Sequence, residues 1–319
     1  MGHVIESRAL KSAANEVRPT DVRSGRIVAL TSAALVAFAL NSLLCRAALG
    51  GGLIDATSFT LVRLASGALV LLMIASRNRG RATPSAVSVR AVAISAGALF
   101  AYALPFSLAY RGLSAGTGAF VVFGCVQITM IGAGLIAGRR LHIREVAGLA
   151  LALLGLIVLT RPGQESPDPL SVSLMALAGF SWGIYSLRGR SAGPALQATA
   201  RNFGATLPLA LGASALAWAS THVTLKGLLL ATFSGAVTSG LGYVAWYAAL
   251  RSLSPARAAI LQLGVPPLAS ALGILFLGES LTPRLAIAAP MILGGIAIAL
   301  MGASGLTPPN AVVRERGSG

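Results

Sequence analysis

A single arginine lies inside an apolar run of the chain, away from both ends of that run. Arg63 occupies the middle of the stretch Thr-Leu-Val-Arg-Leu-Ala-Ser at positions 60–66. A charged side chain in such surroundings is costly unless it faces protein or water. Its guanidinium could bind an anionic group such as a substrate carboxylate, whose two oxygens match its planar donors. The alternative is a structural arginine that bonds to backbone carbonyls or extends to an interface, and the sequence leaves both open.

Three neutral amides also fall within apolar segments, and they are Asn41, Gln127 and Gln262. An amide offers donors and acceptors to a polar ligand without the cost of burying a charge. We therefore predict that these residues line a substrate cavity. Hydrogen bonding between neighbouring helices is the competing interpretation for each of them.

Polar aromatic residues are concentrated within three apolar segments. They are Tyr102, Trp182, Tyr185, Tyr243, Trp246 and Tyr247. Aromatic belts at a membrane interface explain Trp and Tyr at segment ends, whereas a ring in mid-segment needs a partner for its polar atom. A cavity supplies such a partner, so we assign all of them except Tyr247 to the predicted substrate site.

Prolines interrupt two of the apolar segments near their middle. Pro105 lies in one, and the pair Pro266-Pro267 lies in the other. Proline removes a backbone hydrogen bond and kinks a helix, which can leave carbonyls facing a cavity. We predict that these three residues act as hinges, with a static kink packed against its neighbours as the alternative.

The residues expected of an enzyme are missing from the apolar segments. No Asp or Glu lies well inside one, and His3, His142 and His222 lie outside them. Cys45 and Cys125 have no second cysteine or histidine at ligand spacing. We therefore predict that the chain is not an enzyme and uses no metal or cofactor. The missing carboxylate also favours a facilitator or exchanger over a carrier driven by protons or sodium.

The composition identifies the elements that must position these residues. The chain has 319 residues, of which 55% are hydrophobic and 11% charged, so it is too apolar for a surface that faces water. We predict an all-α polytopic membrane protein with ten transmembrane helices. Spans of about 20 residues fall near 27–45, 56–76, 91–110, 115–137, 145–160, 170–187, 199–219, 227–250, 256–277 and 285–303.

The basic residues predict how the chain is oriented. The net charge is +16, but the 25 Lys and Arg residues form short scattered clusters, which argues against nucleic-acid binding. Most of them fall in two polar tails and in alternate connecting segments. The opposite side holds only Arg46, Arg111, Arg161, Lys226 and Arg284. Because Lys and Arg stay on the cytoplasmic side, we predict a multi-pass protein of the bacterial inner membrane with both termini in the cytoplasm.

The second half of the chain resembles the first at a constant shift of 140 residues. Arg111 then aligns with Arg251 and Gly155 with Gly295, in one register without a gap. Each repeat has five spans, an odd number, so equivalent helices must cross the membrane in opposite senses. The predicted organisation is a disordered cytoplasmic tail at 1–26, two inverted five-helix repeats at 27–161 and 170–303, and a cytoplasmic tail at 304–319.

Two local motifs complete a resemblance to a known family. Gly-Glu-Ser-Leu-Thr at 278–282, followed by Gly-Gly at 294–295, resembles the pattern "GE-x-L-T … GG" of EamA-type members of the drug/metabolite transporter superfamily. Phe-Ser-Trp-Gly-Ile-Tyr at 180–185 resembles the segment that opens each family repeat. In the first repeat, however, Arg139 stands where the second has Glu279, and Ser42 stands where it has Trp182. We therefore expect Glu279 to be a loop or capping residue.

This resemblance covers about residues 27–303 and implies a secondary transporter. Inverted repeats suit alternating access, because exchanging the conformations of two similar halves opens the opposite side. We expect the chain to transport a small organic metabolite that is amino acid-like or amphipathic. The expected direction, export, rests on the family resemblance alone. Its predicted partners are this substrate and the lipid bilayer, while a homodimer stays open. The alternative is a channel-like protein or a membrane scaffold that transports nothing.

Overall fold

The computed structural model describes residues 19–77, 88–138, 142–160, 167–189, 193–253, 258 and 261–303, and their regular structure is helical. In chain order the main helices are α1 (Pro19–Leu49), α2 (Ala56–Arg77), α3 (Val89–Ala109), α4 (Ala115–Ile136), α5 (Ile143–Thr160), α6 (Pro169–Gly189), α7 (Ala195–Leu216), α8 (Leu225–Leu250), α9 (Val265–Leu277) and α10 (Pro283–Ala303). An isolated antiparallel bridge joins Ile54 to Val223.

Polar caps and glycines define several helix ends. Ser114 and Thr224 precede α4 and α8, and their hydroxyls accept hydrogen bonds from the amides of Thr117 and Gly227 at 3.2 and 3.1 Å. Each bond satisfies an amide that has no partner within its own helix. Gly278 ends α9 with φ of 64°, in the left-handed region that favours glycine. Short polar turns between long apolar runs therefore fold this sequence into antiparallel helices.

A helix overlaps each of the predicted spans, and among the described residues six helices are long and apolar enough to cross a membrane. These six are α1 over Gly25–Leu49, α2, α3, α4, α6 and α8. The prediction of an all-α polytopic membrane protein is therefore confirmed. α1 begins at Pro19, inside the predicted tail, because a helix can extend past the apolar stretch that hydropathy detects. The tail 304–319 and residues 1–18 lie outside the described residues.

The bundle has a polar and aromatic interior and an apolar exterior. Trp246, Arg63 and Tyr185 are among its largest fully buried side chains, whereas Leu275 is 75% exposed and Leu229 is 61% exposed. An apolar surface of this kind suits contact with lipid acyl chains. The buried polar groups are therefore shielded from lipid by the bundle.

Close helix contacts depend on small residues. A Cβ atom added to Gly155 would lie 2.8 Å from the side chain of Ile292, and one added to Gly295 would collide with the backbone of α5. α5 and α10 thus approach at glycines, as helices commonly do in membranes. α2 packs on α7 and α8, α3 on α6 and α7, and α4 on α6 and α9, which brings the two halves of the chain together.

Candidate functional site

Arg63 lies at the centre of the bundle and binds residues from both halves of the chain. Its Nε donates to the hydroxyl of Ser239 at 2.7 Å. Its Nη2 donates to the hydroxyls of Tyr243 at 2.8 Å and Tyr102 at 3.2 Å. The guanidinium carbon also lies 5.3 Å from the ring centres of Tyr102 and Phe106. Hydroxyls and ring faces therefore hold the cation.

The charge of Arg63 has no carboxylate counterpart in the described part of the chain. Its side chain is 1% exposed, and its Nη1 has no hydrogen-bond partner among the described residues. Each partner of the guanidinium is a neutral group. A buried cation is normally paired, since removing it from water costs several kcal/mol, roughly, after relaxation. Arg63 thus offers an open donor and an uncompensated charge to an anion.

Asn41 fixes the part of α8 that faces Arg63. Its Oδ1 accepts hydrogen bonds from the hydroxyls of Ser234 at 2.7 Å, Thr238 at 3.2 Å and Ser239 at 3.4 Å. All three donors belong to the π-helical segment Ser234–Leu241 within α8. π-Helical segments are rare and frequently occur at functional sites. The amide predicted to line a cavity is therefore also a bond between α1 and α8.

A narrow cavity, with room for about one water molecule in this conformation, lies beside this network. Its lining comes from α1, α3, α4 and α6, and the residues are Phe38, Asn41, Ser42, Tyr102, Phe106, Val122, Phe123 and Trp182. Five of the eight are aromatic. Such a wall suits an apolar or planar body, while Asn41 and Ser42 add polar groups. Tyr102 connects the two parts of the site, because it lines the cavity and binds Arg63.

Aromatic contacts join α1, α3, α6 and α8 around the cavity. The ring of Trp182 lies 5.0 Å from Tyr102, 4.6 Å from Tyr243 and 5.6 Å from Tyr185 between centres. Phe38 meets Trp182 edge-on at 5.4 Å. Contacts of this kind stabilise rigid packing beyond simple apolar burial. Trp182 is therefore the shared wall between the cavity and the aromatic core.

Gln262 and Trp246 contact residues of the cavity lining but do not line the cavity themselves. The indole Nε1 of Trp182 donates to Oε1 of Gln262 at 3.1 Å, and Nε2 of Gln262 faces the sulfur of Met130 at 3.9 Å. Trp246 packs edge-on against Phe38 at 5.8 Å, and its Nε1 has no hydrogen-bond partner among the described residues. Gln262 thus orients a cavity residue without lining the cavity.

The structure brings together most of the residues predicted for the site. Hydrogen bonds and ring contacts join eight of them into one connected group. They are Asn41, Arg63, Tyr102, Trp182, Tyr185, Tyr243, Trp246 and Gln262. Tyr185 lies at its far side, where its hydroxyl is 3.4 Å from the amide nitrogen of Asn202. Gln127 is buried on α4 but is not in the cavity lining.

The predicted hinge residues occupy two different positions in their helices. Pro105 lies inside α3, next to the cavity residue Phe106. Pro266 and Pro267 lie in the first turn of α9, directly after a turn at Leu263 and Gly264. Helix starts tolerate proline because their amides have no helical acceptor. Span nine is thus interrupted at the predicted place, and a hinge role for these prolines stays a prediction.

Several residues of the site escaped sequence reasoning. Phe38, Phe106, Val122 and Phe123 line the cavity, but apolar residues in a membrane segment are expected whether they face lipid or a ligand. Ser42 appeared only as a departure from a repeat motif. Ser239 carried one weak signal, a run of small hydroxyl residues in an apolar segment.

One end of the bundle carries a second polar cluster, formed by Arg46, Ala115 and Glu279. Nε of Arg46 lies 3.3 Å from Oε1 of Glu279. The same carboxylate accepts the backbone amide of Ala115 at 2.9 and 3.0 Å, which caps α4. The expectation that Glu279 is a capping residue agrees with this geometry. We call this region the Glu279 end.

Asp55 makes another connection at the Glu279 end. Its carboxylate accepts hydrogen bonds from Thr57 at 2.7 Å, from Ser58 at 2.9 Å and from the backbone amide of His222 at 3.0 Å. Partial burial opposes ionisation, but these hydrogen bonds outweigh it and lower the pKa of Asp55 below its ordinary 3.8. The loop before α2 is therefore bonded to the loop before α8.

Comparisons with known proteins give a consistent result. A family model described as the EamA-like transporter family matches residues 169–301. An uncharacterized protein of Pseudomonas aeruginosa is 47% identical over 279 residues, which are 86% of this chain and 94% of that protein. A probable amino-acid metabolite efflux pump of Salmonella typhimurium is 27% identical over 217 residues, which are 63% of this chain and 72% of the pump.

A solved crystal structure resembles the chain over most of its length. It has a TM-score of 0.65 and 20% sequence identity, and the match covers 85% of this chain and 98% of that one. At this identity the likeness shows a shared fold alone.

Proposed function

Because the chain belongs to the EamA-like transporter family, we propose that it is a secondary transporter that exports a small organic metabolite carrying a carboxylate. The substrate class and the direction are our inference, whereas membership of a transporter family, as opposed to an enzyme family, follows from the match. The protein would lie in the bacterial inner membrane with both termini in the cytoplasm, as its basic residues predict.

The observation that carries the substrate class is the uncompensated guanidinium of Arg63. An arginine at the centre of a membrane helix costs about 2.5–3.5 kcal/mol on insertion scales. Its hydroxyl and ring contacts offset part of this cost, but no described carboxylate neutralises the charge. A substrate carboxylate bound at the open Nη1 would neutralise it. This arrangement favours the ligand-binding alternative for Arg63.

The adjoining cavity indicates what else the substrate carries. Its wall is mainly aromatic, with an amide at Asn41 and a hydroxyl at Ser42. An amphipathic metabolite would place its anionic head toward Arg63 and its apolar body against Trp182 and Phe106. An amino acid-like compound has this division. The efflux pump named among the relatives points the same way, and to export.

Alternating access between two inverted five-helix repeats is our proposed mechanism. The helix packing supports it, because the most extensive contacts between helices have counterparts under exchange of the halves. α3 packs on α6 as α8 packs on α1, and α4 packs on α6 as α9 packs on α1. α5 packs on α10 and α2 on α7, which are pairs that the exchange maps onto themselves. Rocking such halves would expose the central site to each side in turn.

Whether two copies assemble as a homodimer is a separate question for the purified protein.

Matched ligand pairs test the substrate class. Purified protein in detergent would be heated with amino acids, with their amides and with the decarboxylated amines, because a ligand that binds the folded state raises the unfolding temperature. We expect the acids to stabilise the protein and the other two series to have no effect. Saturable counterflow of a stabilising acid in proteoliposomes would then demonstrate carriage. Equal stabilisation by acids and amides would contradict the proposed role of Arg63.

Flux under an imposed proton gradient tests the proposed energy source of transport. Since no Asp or Glu lies well inside a predicted span, we propose a facilitator or exchanger. Flux in proteoliposomes should then change little when a proton gradient is imposed. A steep rise with the gradient, abolished by an ionophore, would overturn this part of the proposal.

A further inference from the structure

The π-helical segment of α8 gives three of its hydroxyls a common target. Ser234, Thr238 and Ser239 all hydrogen-bond to Oδ1 of Asn41. In an α-helix, residues five apart lie about 140° apart around the axis, because each residue turns by about 100°. The wider π-helical turn, with bonds from residue i to residue i+5, instead brings residue 239 to the same side of the helix as residue 234. The segment therefore turns Ser239 toward the α1 and α2 side of the bundle.

The backbone of α2 fits closely against this segment. A Cβ atom on Gly235 would collide with the carbonyl oxygen of Arg63, and one on Gly67 would lie 2.9 Å from the carbonyl oxygen of Gly235. Glycines at these two positions let the helices approach until their backbones touch. The main chain at Arg63 is thereby held at a fixed distance from Ser239.

The hydroxyl of Ser239 has one proton to donate and lone pairs to accept with. Its contact with Asn41 Oδ1 at 3.4 Å uses the proton, because that oxygen can only accept. Its lone pairs therefore face Arg63, whose Nε donates to it at 2.7 Å. Nε and Nη2 share one edge of the planar guanidinium, so this bond and the two bonds from Nη2 to Tyr102 and Tyr243 together fix the plane and leave Nη1 open on the other edge.

We propose that Ser239, held by Asn41, is a positioning residue that orients the guanidinium of Arg63, so that Nη1 is available to the substrate and carboxylates are preferred over neutral analogues. This inference rests on the proposed function, since it assigns the selectivity of the same site. The specificity determinant thus lies on α8, outside the cavity lining.

Ser239→Ala is the direct test. Without the hydroxyl, Nε loses its acceptor, and only the bonds of Nη2 and the ring contacts still orient the guanidinium. We expect the KM of the carboxylate substrate in proteoliposomes to rise about tenfold while the maximal rate changes less than twofold. The ratio of acid to amide transport should fall with it. Ser239→Thr keeps a hydroxyl at the same position and should restore both values.

Ser95→Ala is a matched control. The Ser95 hydroxyl also accepts an arginine Nε, from Arg188 at 3.0 Å, but between α3 and α6 away from the site. This variant should keep the KM and the acid preference of the native protein. An equal rise in KM for Ser95→Ala and Ser239→Ala would overturn the proposal, because a general loss of packing would then explain both.

Asn41→Ala provides a second variant that leaves Arg63 and Ser239 in place. It removes the acceptor that orients the Ser239 hydroxyl, so the acid preference should fall, although less than in Ser239→Ala. Unchanged KM and acid preference in Ser239→Ala, with transport still dependent on Arg63, would sink the positioning role alone. Native protein that carries acids and amides equally well would instead sink the proposed function.

Discussion

Two arginines of this chain have opposite surroundings. Arg46, at the Glu279 end, is partly exposed and pairs with a carboxylate at 3.3 Å. Arg63, at the centre of the bundle, is fully buried and is held by neutral hydroxyls and ring faces. The less costly charge is thus the one with an acidic partner. The ion pair of Arg46 is neutral as it stands, whereas the buried cation of Arg63, held only by neutral groups, keeps a charge that an anionic ligand would neutralise.

Arg63→Gln should give the largest effect. The variant keeps hydrogen-bond donors but removes the charge, so carboxylate transport should fall at least about 100-fold. Removing a buried charge also removes its desolvation cost, and the thermal unfolding temperature in detergent should stay equal or rise. Arg63→Lys retains the charge without the planar fork and should keep a small part of the activity. A drop in both stability and transport would favour a structural arginine.

Trp182→Ala and Gln262→Ala should have intermediate effects on transport. Trp182 forms a wall of the cavity, and Gln262 accepts its indole proton at 3.1 Å. Loss of the ring should lower counterflow about tenfold, and loss of the amide should lower it less, since the ring remains. Expression and membrane insertion should be preserved in both. Near-normal flux in both variants would remove the cavity from the proposed transport route.

Glu279→Gln should affect stability more than substrate affinity. The carboxylate pairs with Arg46 and caps α4 at Ala115, so its loss should cost about 1 kcal/mol of unfolding free energy. The KM should stay close to the native value, in contrast to that of Arg63 variants. Arg46→Gln should cost less, because the cap remains. A large rise in KM for either variant would show that the two arginines act in one site.

The sequence predicted the parts of the site that are chemically conspicuous in a membrane. Arg63, Asn41 and Trp182 stand out because a charge, an amide or an indole needs a partner in hydrocarbon. The lengths of the apolar runs also predicted the helices, since the bilayer fixes the length and composition of a spanning helix. The sequence therefore predicted the rare polar residues of the site, but not the apolar residues that are common in every membrane helix.

The rest of the site depends on geometry that apolar patterns do not encode. Phe38 and Phe106 face a cavity, yet the same residue types also face lipid. Ser239 reaches Arg63 through a π-helical turn, whose altered spacing leaves no mark in hydropathy. The 31-residue length of α1 likewise exceeds the apolar stretch from which its span was predicted. Tertiary packing determines which side chains contact one another and where each helix ends.

Asp55→Asn should give the smallest effect and sharpen the contrast between the Glu279 end and the centre. The hydrogen bonds to Asp55 lower its folded pKa, so its ionised form stabilises the protein at neutral pH, and this stabilisation is lost as the pH falls through the folded pKa, below about 3.8. The unfolding temperature of the variant should be slightly lower than that of the native protein at pH 7, and the difference should shrink as the pH falls below 3.8 and vanish below the folded pKa. Asp168→Asn is the control, because Asp168 caps only its own helix through Ser171 at 2.8 Å. A loss in this control as large as that in Asp55→Asn would mean that the bond from Asp55 to His222 contributes nothing to holding the two loops together.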